Sequence, residues 1–208
     1  MGTKESKSVP KVLFKVRKDP EKNQEGARTP SEICKLGTWI EQSTDDFFSK
    51  KKVIVFSLPG AFTPTCSSKQ LPGFDEKFNE FKKHGIDEIY CISVNDSFVM
   101  NAWAEYQNIK NVKMIPDGNG MFTKEMGMLV NKEDKGLGYR SWRYAMIINN
   151  GNIEKMFIEP GKDDTSSDQN PYGETSPENI LKFLKNWKNK KSWLQLRAMF
   201  KFFPTTYF

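Results

Sequence analysis

One histidine and three cysteines are the only imidazole and thiol ligands in these 208 residues. With His84 alone and no C-x-x-C pair, the usual Cys/His zinc spacings cannot be assembled. Cys34, Cys66 and Cys91 are too few, and odd in number, for a disulfide framework. Neither a metal nor a cofactor is expected. Long hydrophobic runs are missing as well: nothing approaches the ~18–20 apolar residues that span a bilayer, and the N-terminus has no signal-peptide core. The expectation is a soluble, cytoplasmic protein, in which a few reduced thiols are either core residues or chemistry.

The sequence also lacks a basic domain, although its net charge is +6. Residues 1–22 hold seven Lys/Arg against three acids, and residues 188–208 hold five against none. The stretch between them holds twenty against twenty-three, so the excess positive charge sits at the ends. That distribution argues against a nucleic-acid face. At 37% hydrophobic and 13% aromatic, the chain can bury one core. The reading divides it into a polar basic extension (1–30), one domain (31–187) and a basic aromatic tail (188–208).

Within the domain the pattern alternates strand and helix. An edge strand fits Val12-Leu13-Phe14-Lys15-Val16, and Ser43-Thr44-Asp45-Asp46 caps a short helix before the apolar run 53–57. Leu71, Phe74, Phe78 and Phe81 lie on one helical face, which Pro72 should kink and His84-Gly85 should end. A strand at 88–94, a helix from Val99 to Tyr106 capped by Asn95, Asp96 or Ser97, and a strand at 112–115 follow. Then come a turn (116–120), a helix near 121–129 and a hairpin turning at Asn149–Asn152. Ser176-Pro177 opens the last helix. The order predicts an α/β fold, a central mixed β-sheet with helices on both faces.

One stretch, PGAFTPTC at 59–66, carries a cysteine from the end of a buried strand into the first turn of a helix. A free thiol with a pKa near ~8.5 is mostly protonated at neutral pH and a poor nucleophile. Helix N–H groups, a nearby cation and hydrogen bonds to sulfur all favour the thiolate. Pro64 fixes the approach, and the Thr63 hydroxyl can donate to the thiolate or to a substrate oxygen. On position alone, Cys66 is either such a reactive thiol or a small buried hydrophobe.

Pro59-x-x-x-Thr63-x-x-Cys66 resembles the P-x-x-x-T-x-x-C signature of peroxiredoxins, and PGAFTPTCS is similar to their type II, peroxiredoxin-5-like branch. The likeness runs on through SVNDSFVMNAW (93–103), PDGNGMFTKEMGML (116–129) and RSWRYAMIINNGNIEKMFIEP (140–160). These later blocks are most similar to the peroxiredoxin part of bacterial glutathione-dependent peroxiredoxin–glutaredoxin hybrids. The resemblance implies a thioredoxin fold and a thiol peroxidase acting on hydrogen peroxide and alkyl hydroperoxides, commonly as a homodimer. It makes Cys66 the peroxidatic cysteine, Thr63 the holder of the peroxide, Pro59 the shield of the pocket and Arg143, placed in the strand RYAM, the activating arginine. Glutathione, glutaredoxin or thioredoxin is the implied reductant.

Cys91 suits the core of its strand, and it also falls where plant-like type II enzymes carry a second cysteine, so a resolving role stays open. Arg140 reads as a solvated loop charge, His84 as a helix cap and Cys34 as a free structural thiol. The chain departs from its relatives in two ways. GKDDTSSDQNPYG lacks the late resolving cysteine of animal members, and a fused glutaredoxin is not expected. Reduction should then come from outside, or from Cys91 after local unfolding. The alternative class is a redox sensor or chaperone-like binding protein that oxidises without turning over. At the ends, Gly2 fits a myristoylation pattern that arises often by chance. Trp193, Leu196, Phe200 and Phe203 form an apolar stripe, more simply packed on the protein than on a membrane.

Overall fold

The computed structural model of the chain describes residues 8–18, 37–162 and 171–187. Gly2, Cys34 and the tail beyond residue 187 lie outside the described residues. Among those described, no helix is long and apolar enough to cross a membrane.

Strands β1 (Leu13–Lys18) and β2 (Thr38–Ser43) form an antiparallel ribbon with Phe14 opposite Gln42. The sequence suggested the first of these and missed the second. TWIEQS is exposed or half-buried along its length, so its pairing comes from β1 and not from an apolar period. The boundary drawn after residue 30 is corrected by this ribbon: Val9 and Phe14 are buried in the core, and Ser8 bridges to Asn152. The folded unit therefore includes residues 8–18.

Helix α1 (Thr44–Phe48) starts in a reciprocal capping box. Ser43 Oγ accepts from the Asp46 N–H at 3.2 Å, and the Asp46 carboxylate accepts from the Ser43 N–H at 2.7 Å. Such a cap is worth ~1 kcal/mol, and burial of Phe47 and Phe48 supplies the packing that a five-residue helix needs. Strand β3 (Lys52–Ser57) is next. Its side chains alternate between two cores, Ile54 and Phe56 on one face, Val53 and Val55 on the other. That two-sided burial explains why it reads as an unbroken apolar run.

After a turn comes a π-helical segment, Cys66–Gln70, continued by α2 (Leu71–Glu76) and α3 (Phe78–Lys82). Then follow β4 (Glu88–Ser93), α4 (Ser97–Tyr106), β5 (Val112–Pro116) and α5 (Met121–Glu125). A small ribbon of β6 (Leu129–Asn131) and β7 (Tyr139–Ser141) precedes β8 (Tyr144–Asn149) and β9 (Asn152–Ile158). Helix α6 covers 177–187. The main sheet has five strands in the order β5-β4-β3-β8-β9, with β3, β4 and β5 parallel and β8 and β9 antiparallel. Phe74, Phe81, Met100, Trp103 and Ile180 bring α2, α3, α4 and α6 onto one face, where Phe56 and Phe74 stack at 4.1 Å. Phe47, Phe48, Phe122 and Phe14 bring α1, α5 and the β1–β2 ribbon onto the other. The expected mixed sheet with helices on both faces is the architecture found: an α/β thioredoxin fold.

Local signals placed several ends closely. Asp96 caps α4, its carboxylate accepting from the Val99 N–H at 3.0 Å. Asn150 and Gly151 turn the β8–β9 hairpin with φ of 49° and 75°, the pair of positive angles that matches strand twist. Gly85 ends α3 at φ 77°, with the Ile86 N–H reaching the Phe81 carbonyl at 3.3 Å. The predicted helix over 121–129 stops at Glu125 instead, because Gly127 turns left-handed and sends Leu129 into β6.

Candidate active site

Where β3 ends, Leu58 is still in the core, and Pro59 to Thr63 carry the chain past the C-terminal end of this central strand. The turn is held from β4. Asn95 Oδ1 accepts from the Ala61 N–H at 3.0 Å and from Ser93 Oγ at 2.8 Å. Phe62 sits at φ 60°, a left-handed conformation uncommon for a side chain of this size, and is 51% exposed. The Ser67 N–H closes the first helical bond onto the Thr63 carbonyl at 3.0 Å, so Cys66 lies in the opening turn with no exposed surface.

From Cys66 to Gln70 the helix is wide: the Leu71 N–H donates to the Cys66 carbonyl, five residues back. Pro72 supplies the cause. It has no N–H for the Ser68 carbonyl and its ring crowds that oxygen, so an α-helical ladder cannot pass through. The predicted kink is thus a π segment placed directly under the cysteine. Trp103 of α4 anchors it, its indole N–H donating to Ser67 Oγ at 3.1 Å.

Arg143 enters from 77 residues away, with Nη1 3.6 Å from Cys66 Sγ. It sits just ahead of β8 and not within it, at 1% exposure. The same Nη1 donates to Gln70 Oε1, and the guanidinium carbon stands 5.6 Å from the centroid of the Tyr172 ring. Gln70 is fully buried and was not singled out from the sequence. A polar side chain four residues after the cysteine, on a helix face otherwise carrying Leu71 and Phe74, was the available signal. Tyr172 is held through Glu159, whose Oε1 accepts from the N–H groups of Gly173 and Thr175 at 2.8 Å and from Thr175 Oγ1 at 2.7 Å. Burial alone would raise the Glu159 carboxyl, but these hydrogen bonds outweigh it and hold it below the usual range.

Thr63 faces the same space, and its hydroxyl donates to the Gly60 carbonyl at 2.8 Å. A carbonyl cannot donate, so the proton is committed there and the Thr63 oxygen is left as an acceptor. This corrects the sequence expectation that Thr63 would donate to sulfur or substrate. Arg140 is corrected too. It is half-buried, donating Nε to the Leu137 carbonyl at 2.8 Å and Nη1 to the Val94 carbonyl at 2.6 Å, and so ties β7 to the end of β4.

Cys91 lies on β4 in the same core cluster as Cys66, with no exposed surface. Burial first, then the nearby negative charge of Cys66, pushes its thiol well above the ordinary range. A cavity of about 170 Å³ is lined by Pro59, Thr63, Pro64, Lys132, Trp142 and Arg143. Arg143 also reaches Cys66 Sγ, so Pro59 and Thr63 share the space with the guanidinium that touches the thiol. Neither Cys66 nor Cys91 lines the cavity; both lie in the core.

The Redoxin family pattern matches residues 24–172. A peroxiredoxin from Rhizobium etli is 55% identical over 179 residues, covering 86% of this chain and 95% of its own length. The hybrid peroxiredoxin hyPrx5 of Haemophilus influenzae is 47% identical over 184 residues, covering 88% of this chain and 67% of the hybrid. The Plasmodium falciparum antioxidant protein, a 1-Cys peroxiredoxin, superposes with a TM-score of 0.77 at 35% identity, over 88% of this chain and 99% of that one. A buried thiol at a strand-to-helix turn, an arginine on its sulfur and these likenesses along the chain lead to one conclusion: the chain belongs to the peroxiredoxins, in their type II, peroxiredoxin-5-like branch.

Proposed function

We propose that Cys66 is the nucleophile of a cytoplasmic thiol peroxidase that reduces hydrogen peroxide and alkyl hydroperoxides and is regenerated by glutathione, glutaredoxin or both. The observation that carries this reading is the guanidinium nitrogen 3.6 Å from a fully buried sulfur. A cation there favours thiolate over thiol, and it also faces the charge that develops on the departing oxygen. Thr63, with lone pairs free, accepts the peroxide O–H and so turns the oxygen that carries this hydrogen toward sulfur. The thiolate attacks that oxygen, the S–O bond forms as O–O breaks, and the leaving oxygen takes a proton to become water or an alcohol. Pro59 and Pro64 present carbon to the pocket and no N–H, which limits the water that can compete.

The sulfenic acid then needs a thiol before a second peroxide drives it to sulfinate. Cys91 is poorly suited, since burial and the charge of Cys66 keep it protonated and the thiolate is the attacking form. A diffusible thiol avoids that barrier. It condenses with the sulfenic acid to a mixed disulfide and water, and a second thiol releases Cys66. The match to the hybrid relative, 67% of whose length is covered, supports glutathione as that thiol. Peroxide plus glutathione should place glutathione on Cys66, visible by mass spectrometry of the quenched enzyme, and Cys91→Ser should keep most glutathione-supported turnover. A dominant Cys66–Cys91 disulfide with loss of turnover in that variant would show that the chain resolves itself.

The same reading makes the molecule a homodimer. Phe62 and Tyr106 are 51% and 77% exposed and pair at 5.8 Å, an apolar patch at the edge of the catalytic turn suited to a second copy. Light scattering at monomer mass across micromolar concentrations would remove this part of it.

A further inference from the structure

The catalytic pocket is larger and more charged than hydrogen peroxide requires. Its volume is about 170 Å³, whereas a water-sized occupant needs only ~10–15 Å³. Much of its wall is carbon, from Pro59, Pro64, Leu137 and Trp142. Two cations, Lys132 and Arg143, are nevertheless buried in that wall, at 5% and 1% exposure, and no carboxylate lines the cavity among the described residues.

Lys132 is not a surface lysine that happens to lie nearby. It heads a tight loop: its N–H donates to the Gly138 carbonyl at 2.8 Å, and its carbonyl accepts from the N–H groups of Lys135 and Leu137, both at 3.1 Å. Gly136 and Gly138, at φ 66° and 64°, give that loop its curvature. The Lys132 ammonium stands 5.4 Å from the centroid of the Trp142 ring, and no described carboxylate pairs with it. A face of indole compensates an ammonium only in part, and among the described residues no carboxylate lines the cavity beside it. An anionic ligand would complete the pair.

We propose that Lys132 is the specificity residue of this pocket, taking the carboxylate of an organic substrate whose reactive group lies at Cys66. This rests on the reading of Cys66 as the reacting thiol. The carboxylate can arrive from two sources, an acid-bearing hydroperoxide in the oxidative half-reaction or an anionic thiol such as glutathione in the reductive one. Hydrogen peroxide, which has no carboxylate, makes no use of it.

Stopped-flow tryptophan fluorescence of the wild type, Lys132→Met and Lys132→Arg separates these cases. Methionine keeps the unbranched stem and removes the charge; arginine restores it. The oxidative arm compares a short ω-carboxy alkyl hydroperoxide with its methyl ester and with hydrogen peroxide. The reductive arm mixes the oxidised enzyme with glutathione or its dimethyl ester. Wild type should prefer the free acid on the order of 10-fold in at least one arm, as for a partly buried charge pair. Lys132→Met should bring that ratio to about 1 and Lys132→Arg should keep most of it, with the hydrogen peroxide rate of both within about twofold of wild type. The arm that shows the preference names the source. Equal rates for acid and ester in both arms overturn the proposal. So does a preference that survives Lys132→Met, or a parallel fall in the hydrogen peroxide rate, which would make Lys132 merely structural. If wild type does not turn over with glutathione at all, the reductant reading fails while the oxidative arm still tests Lys132.

Discussion

Cys66→Ser is expected to lower peroxide consumption by about 10³-fold or more, the scale seen when a nucleophile is removed from an otherwise intact site. Serine is close to cysteine in size, so the packed turn beneath β3 should survive, and its hydroxyl can still accept from Arg143. Its oxygen, however, stays protonated at any working pH and attacks an O–O bond poorly. The consequence of full burial matters here. Neither Cys91, held protonated in the core, nor any other described thiol can substitute at the pocket. The check is glutathione-coupled peroxide consumption beside a thermal unfolding curve. Turnover near the wild-type rate, with the fold intact, would remove Cys66 from the mechanism. One oxidation per wild-type chain and no further turnover would instead favour a redox sensor on the same fold.

Arg143→Lys should reduce the rate of peroxide reduction by about 10–1000-fold, comparable to losing an oriented donor at a developing charge. Charge is kept, so a purely electrostatic role would leave the rate nearly unchanged. Geometry is not kept: Nη1 reaches both the Cys66 sulfur and the Gln70 amide oxygen, and the guanidinium carbon stands 5.6 Å from the Tyr172 ring centroid. A lysine ammonium on a flexible stem cannot hold those directions together. Arg143→Ala removes the cation as well, so alkylation of Cys66 should then require higher pH than in the wild type. Circular dichroism separates this from loss of fold, because an emptied buried site also destabilises. An unchanged alkylation profile in Arg143→Ala, with a folded protein, would show that the guanidinium does not activate the thiol.

The candidate site could be located along the chain because it is written in local signals. PGAFTPTC puts a cysteine behind a strand and into a helix start, and the stripe Leu71, Phe74, Phe81 shows which face that helix buries. Ser43, Asp96, Asn150-Gly151 and Gly85 each act through hydrogen bonds or backbone angles within a few residues, so their outcomes follow from the residues themselves. The unbroken apolar run of β3 is local too, and it marks a strand buried on both faces. Other features depend on which strands become neighbours. β2 carries no apolar period and exists because β1 lies beside it; the β6–β7 ribbon, three residues on each side, is too short to show a period at all. Arg140 looked like a loop charge until the sheet brought the Val94 and Leu137 carbonyls to it. Cys66 and Gln70 meet one guanidinium only because β8 pairs with β3, which sets the residue just before β8 over the opening turn of the helix. Thr63 was recognised from its spacing, but the direction of its proton was fixed by where the turn placed the Gly60 carbonyl. Residue identity and spacing act over one or two turns of chain and place a thiol at a helix start; contacts across 77 residues arise from strand order, and these bring the guanidinium to it.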